Sequence, residues 1–190
     1  MDKYIVVFGG CSWDYTFQQN NDRTYNDQPK QSNPGGKGAN QAVAAARAGQ
    51  KVKIISIIGD DENGKKIIEN FKENNVDTDR LIQLQGVKSD SSKIYVSIEG
   101  ENDIHRTIES IQKFTPELIY CNEDVLKNAE FIVTQSKLPR EVYVELINFC
   151  HKHNLKLVLT PCPSKVLKSG ENGNLDILRK ITFITANKKE

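Results

Sequence analysis

The sequence predicts an α/β protein: an open, mostly parallel sheet flanked by helices, with a small accessory β lid. Three observations carry this. Short β-branched runs without alternation, at 4–8 and 52–58, suit strands covered on both faces. Helical patterns stand between such runs, as βαβ units require. One segment, Lys93 to Glu99, alternates instead, with Ile94, Val96 and Ile98 set against Tyr95 and Ser97, as expected of a strand with one wet face.

Taken in order, Tyr4 to Phe8 is the first buried strand and ends at Gly9-Gly10. A helix fits Ala39 to Ala48, rich in the best helix former and stopped by Gly49. The next strand spans 52–58. From Gly64 to Asn74 a second helix places Ile67, Ile68 and Phe71 on one stripe. After the alternating segment the βαβ rhythm returns, with a strand near 131–134, a helix from Pro139 to His153, and strands at 155–159 and 181–185. In that helix Val142, Leu146 and Cys150 share a face with Tyr143 and Ile147, and Pro139 suits the first turn. Residues 18–34 are almost entirely polar apart from Tyr25, which predicts a mobile loop or a weak strand pair. Residues 164–174, with Gly170, Asn172 and Gly173, read as a surface connection.

Composition narrows the function classes. The 190 residues include 26 Lys+Arg against 25 Asp+Glu, so no basic excess exists to neutralise many phosphates, and nucleic-acid binding is not expected. The longest apolar runs, Tyr4 to Phe8 and Ile54 to Ile58, fall far short of a membrane span, and the start lacks the layout of a signal peptide. A cytoplasmic protein is expected, with the nucleus as the alternative. The four cysteines, Cys11, Cys121, Cys150 and Cys162, are scattered without the close spacing of a zinc or redox motif. Cys150 and His153 share a helix at metal-binding spacing. With no further ligands clustered there, a core cysteine and an exposed histidine are the better reading.

The sharpest motif is Pro34-Gly35-Gly36-Lys37-Gly38-Ala39-Asn40, directly before the Ala-rich helix. Glycines let backbone N–H groups approach a ligand, and the helix start adds a positive dipole end, so an oxygen-rich ligand is favoured. It is not a P-loop, because Gly38 stands where Ser or Thr would follow the lysine, and the dinucleotide glycine spacing is absent. From these residues alone, a tight turn before a helix explains the motif equally well.

The run from Gly35 to Gly49 resembles the N-terminal signature of the ribokinase, or PfkB-type, carbohydrate kinases. Gly9-Gly10-Cys11-Ser12-Trp13-Asp14 resembles the family's first strand and its sugar-binding aspartate. Gly59-Asp60-Asp61 with Gly64, the lid hairpin at Glu99-Gly100-Glu101-Asn102, the turn Thr160 to Ser164 and the Asn-x-x-Glu-like Asn187 to Glu190 follow in family order. The resemblance implies a ribokinase-like fold, residues 1–190 forming the N-terminal portion of a kinase domain, with lid segments at about 15–34 and 90–110 that in relatives also make a homodimer. It implies transfer of the ATP γ-phosphoryl group to the 5-hydroxyl of ribose, with Mg²⁺ and, by analogy, activation by a monovalent cation such as K⁺. The sugar would be held by Ser12, Asp14, Gly36, Lys37, Gly38 and Asn40, Asp14 supplying acceptors only. Asn187 would contact nucleotide phosphates and Glu190 would hold Mg²⁺ through its hydration shell.

Three departures from the family pattern accompany the likeness. Lys137, in Gln135-Ser136-Lys137-Leu138-Pro139, stands where a sugar-binding glutamate is expected, and an ammonium only donates. Lys30-Gln31-Ser32-Asn33 and Glu109-Ser110-Ile111 make the lid polar, so it would exclude water less well. The Gly-Ala-Gly-Asp motif that carries the family's anion hole and catalytic base would lie beyond Glu190. No catalytic residue is therefore assigned, and a noncatalytic sugar-binding remnant is the alternative reading. The 190-residue form is also expected to expose a sheet edge and apolar surface.

Overall fold

A computed structural model describes residues 3–161 and 174–186. Ten strands are described in two sheets. The larger is built from β1 (Ile5–Phe8), β4 (Val52–Gly59), β5 (Val76–Leu84), β8 (Phe131–Gln135), β9 (Leu157–Thr160) and β10 (Phe183–Ile184). Their order is β10-β9-β8-β1-β4-β5 and every pairing is parallel. The smaller takes β2 (Ser12–Gln18), β3 (Gln31–Gly35), β6 (Ser91–Val96) and β7 (Asn102–Thr107) in the order β3-β2-β6-β7. In it β2 runs parallel to β6 while β3 and β7 are antiparallel to their neighbours.

The unalternating apolar runs have a direct cause. On β1, Val6 and Phe8 enter one core with Val142, Leu146 and Cys150 of α5 (Arg140–Lys152) and with the short α3 (Glu117–Tyr120) and α4 (Glu123–Lys127). Val7, pointing the other way, enters a second core with Ala39 and Ala42 of α1 (Lys37–Arg47) and Ile67 and Phe71 of α2 (Glu62–Glu73). Both faces of the sheet are thus dry, which the period of two converts into a continuous apolar run. A last short helix, α6 (Asn174–Leu178), precedes β10.

Element boundaries moved for local reasons. The first helix begins at Lys37 rather than Ala39 because Gly36, at φ 87°, turns the chain at its start. The helix expected from Pro139 begins at Arg140, with Pro139 extended at its cap. Asn154 at φ 53° and the bond from Leu155 N to Cys150 O use up the residues after α5, so the following strand begins at Leu157. The final strand is confined to Phe183–Ile184.

The short helices α3, α4 and α6 were not foreseen, and two further parts of the chain differ from expectation for reasons that can be named. β5 carries Asp77, Asp79, Arg80 and Gln83 and ends the sheet, so its charged positions hide the strand pattern. Residues 18–34, expected as a loop or weak strand pair, supply β3 and a bridge between Gln19 and Tyr25. Most of the connection expected at 164–174, and Asn187 to Glu190, lie outside the described residues.

Candidate functional site

A small cleft opens at the carboxyl ends of β1 and β8, where the smaller sheet meets the larger. In open α/β sheets ligands bind outside the carboxyl ends of the strands. Gly10, Cys11 and Ser12 line it from the chain leaving β1, Gly36 and Lys37 from the start of α1, Gln135 and Lys137 from the end of β8. The smaller sheet contributes Ser91 and Ser92 of β6 and Arg106 and Thr107 of β7, with Asp90 just before β6.

Glycines set how closely these walls approach. A Cβ on Gly36 would lie 2.7 Å from the backbone N of Ser12, and Gly36 already has a positive φ. A Cβ on Gly38 would lie 2.7 Å from the carbonyl O of Gly10, the same oxygen that accepts a 3.0 Å bond from Gly38 N. The glycine motif therefore clamps the first turn of α1 onto the segment that follows β1. No side chain caps that helix start and its first turn holds no acidic residue, although the Gly38 amide is already engaged by Gly10 O, so the positive end of the helix dipole is left without an anion of its own.

Ser12 and Asp14 are both on β2, and Ser12 Oγ donates to Asp14 Oδ1 at 3.2 Å. Asp14 lies opposite Asn33 in the register with β3, its carboxylate packed against Gly35. It stands beside the cleft through Ser12 rather than among its lining residues. Asn40 is exposed and lines a different cavity with Pro34, Val43 and Arg47, so the structure groups Ser12, Gly36 and Lys37 together and sets Asn40 apart. Gly38 is buried beneath the loop. Asn187 and Glu190 are outside the described residues.

Sequence reasoning did not single out Asp90, Arg106 or Gln135 as site residues. Asp90 is 6% exposed and accepts from Ser110 N at 2.9 Å, Ser110 Oγ at 3.0 Å and Ile111 N at 3.3 Å. Burial pushes its carboxyl above the usual range, and the bonds from Ser110 and Ile111 only partly offset that. Gln135 is 1% exposed and its Oε1 has no hydrogen-bond partner, while its amide packs against Gly9. A buried acceptor without a donor is uncommon enough in folded proteins to call for an explanation. The signal in the sequence was positional only, since Gln135 ends an apolar strand and Asp90 opens a polar one.

Cys11 and Cys150 lack the environment of nucleophiles. Burial pushes the Cys11 thiol up to about 12, and the hydrogen bond it shares with Ser56 Oγ, 3.2 Å away, only partly offsets that. Cys150 is raised to about 12 for the same reason, and His153 packs its ring 4.6 Å from that of Phe149. Among the described residues no group of three or more His, Cys, Asp or Glu gathers as a metal site. His105 lies 2.9 Å from Asp103 and stacks edge-on to Tyr95. No helix among the described residues is long and apolar enough to cross a membrane.

A parallel sheet covered by helices, with a glycine-clamped cleft at its carboxyl end and a smaller β sheet over that cleft, is the frame of a ribokinase-like fold. Residues 2–190 match the model of the pfkB family carbohydrate kinases, and the chain belongs to that family. It is 31% identical over 196 aligned positions to the ribokinase of Bacillus subtilis (strain 168), covering 98% of this chain and 62% of the relative. It is 29% identical to the ribokinase of Staphylococcus aureus (strain COL), covering 100% of this chain and 62% of that one. The solved ribokinase of Arabidopsis thaliana, complexed with ribose and ATP, superposes with a TM-score of 0.82 at 19% identity, covering 99% of this chain and 61% of the other, a likeness of fold alone. The chain thus spans about 62% of the length of these curated relatives.

Proposed function

We propose that the cleft is a sugar site and that the protein to which it belongs phosphorylates ribose at the 5-hydroxyl, with ATP as donor, to give ribose 5-phosphate. The observation that carries this reading is the clamp of Gly36 and Gly38 onto Gly10 and Ser12, which sets a helix start and Lys37 at the wall of the cleft. The names of the curated relatives, ribokinases of Bacillus subtilis and Staphylococcus aureus, support ribose as the sugar.

In this reading each residue does one thing. Asp14, oriented by Ser12, accepts hydrogen bonds from sugar hydroxyls. Lys37 donates to a sugar oxygen, and the first-turn amides of α1 attract oxygen-rich groups. The strands β2, β3, β6 and β7 act as a lid that limits water over the bound sugar. Asn40 belongs to the sugar site only if α1 and β3 shift on binding, since it now borders another cavity.

ATP supplies the phosphoryl group, and Mg²⁺ would neutralise charge on its phosphates. The positions assigned to them, Asn187 and Glu190, lie outside the described residues, and the described ones gather no metal site. K⁺ activation and homodimerisation through the lid stay with the family analogy.

Calorimetric titration with D-ribose, beside a coupled assay for ADP release, tests the proposal. Heat of binding that disappears in Asp14→Ala, together with ADP release dependent on ribose, is the expected result. Ribose binding without ADP identifies a noncatalytic sugar-binding role. Absence of ribose binding removes ribose as the sugar.

A further inference from the structure

The charge of the cleft is one-sided. Lys37, Arg106 and Lys137 line it from three separate elements, and among the described residues Asp90 is the one lining carboxylate. That carboxylate is buried and already engaged by Ser110 and Ile111. Asp14 lies beyond the lining, bonded to Ser12. Neither Arg106 nor Lys137 meets a carboxylate among the described residues, and both side chains are exposed to the cleft mouth. The uncapped start of α1 adds positive potential at the same place. Like charges brought together by the fold repel one another, and a bound anion relieves that repulsion.

A second observation is independent of charge. Gln135 lines the cleft, is 1% exposed, and its Oε1 is an acceptor with no donor. An anion without a hydroxyl would leave it unpaired, because it brings no donor. A hydroxyl-bearing ligand would satisfy it, and the gain is large because the group is already desolvated.

We infer that the cleft selects a polyhydroxy compound carrying an anionic group, a phosphate or a carboxylate, over the neutral sugar. This rests on the reading of the cleft as a sugar site. Lys137 and Arg106 meet the anionic group, and Gln135 accepts from a hydroxyl.

The test is calorimetric titration of the 190-residue chain with D-ribose, D-ribose 5-phosphate, D-ribonate and inorganic phosphate, at low and at physiological salt. At least one anionic sugar is expected to bind roughly tenfold or more tighter than ribose, as charge-assisted hydrogen bonds predict, with the preference shrinking as salt rises. Inorganic phosphate is expected to bind more weakly than the anionic sugars. Tighter binding of ribose 5-phosphate than of ribonate assigns the preference to phosphate, and the reverse assigns it to carboxylate. Lys137→Gln and Arg106→Gln should each lower the ratio of anionic to neutral affinity several-fold, and Lys137→Glu should lower it further. Far-UV circular dichroism and the melting temperature verify that each variant folds. Ribose binding as tight as both anionic sugars, or a ratio unmoved by all three substitutions, overturns the inference and leaves the sugar site standing. Failure of every sugar to bind overturns both.

Discussion

The two sheets are held together differently. In the larger, Val6, Val7 and Phe8 of β1 are each 0% exposed, with helices closing both faces. In the smaller, β7 is exposed from Asn102 to Arg106, and Ile98 and Ile104 remain 50% and 40% exposed. What joins its strands is an aromatic cluster, with Tyr95 stacked 5.0 Å from Phe17 and edge-on to Tyr25 at 5.1 Å. The larger sheet draws its stability from burial, whereas the smaller depends on cross-strand pairs, each worth only about 0.2–1 kcal/mol. The cleft joins the two, taking its glycine clamp from the rigid side and Arg106 from the weaker side.

Substitutions should separate the two regimes. The largest effect is expected in the core of the larger sheet. Leu146→Ala empties a side chain that is 0% exposed and should cost about 2–5 kcal/mol in denaturant unfolding. A cost below about 1 kcal/mol would mean that this core is loosely packed.

Next comes the clamp. Gly38→Ala sets a Cβ 2.7 Å from the carbonyl of Gly10, which must move, at a cost of about 1–3 kcal/mol. The same change should weaken ribose binding in calorimetry, whereas Gly49→Ala, at φ 86° with open space around it, should cost stability and leave binding intact.

Capping and pH come third. Asp61 caps α2 through Gly64 N at 2.8 Å and accepts from Ser89 Oγ at 2.6 Å and Ser89 N at 2.9 Å. Its desolvation would raise the carboxyl, but those hydrogen bonds outweigh it and the pKa is lowered. Stability from Asp61 is therefore present above the ordinary carboxylate range and is lost as pH falls through its lowered pKa. Asp90 has the opposite sign. Its raised pKa gives a contribution present below the ordinary range and lost as pH rises through the raised value. Asp61→Ala should cost about 0.5–2 kcal/mol at neutral pH and flatten the acid limb of a stability-against-pH curve. Asp90→Asn should reduce the loss of stability on raising pH, seen in the same measurement.

The smallest effect belongs to the turn between β6 and β7, where Ile98 lies instead of on the dry strand face that its alternation predicts. Ile98→Ser should change stability by no more than about 0.5 kcal/mol, because the side chain is half exposed. A larger loss would place this turn against another surface in solution.

Much of the frame was readable before any coordinates. Val6, Val7 and Phe8 announce a strand dry on both faces, and the α5 stripe of Val142, Leu146 and Cys150 is buried as its spacing requires. β5 was not readable, because an edge strand tolerates the charges of Asp77, Asp79 and Arg80. β3 was hidden for a related reason: four of its five residues are exposed, so its membership comes from pairing with β2. At the site, Gly36 and Lys37 were legible from the motif. The company they keep was not, since Arg106 and Gln135 reach the cleft from strands roughly 70 and 100 residues away, a separation that local pattern does not encode.

The sequence by itself determined the alternation of buried strands and amphipathic helices, and it marked the glycine loop that opens the first helix, because periodicity and backbone freedom are properties of neighbouring residues. Tertiary structure alone decided that Asp14 stands beside the cleft and Asn40 on another cavity. It also decided that three cations and an unpaired amide oxygen face one space. Those relations depend on strand order and sheet register, which fix distances between residues far apart in the chain.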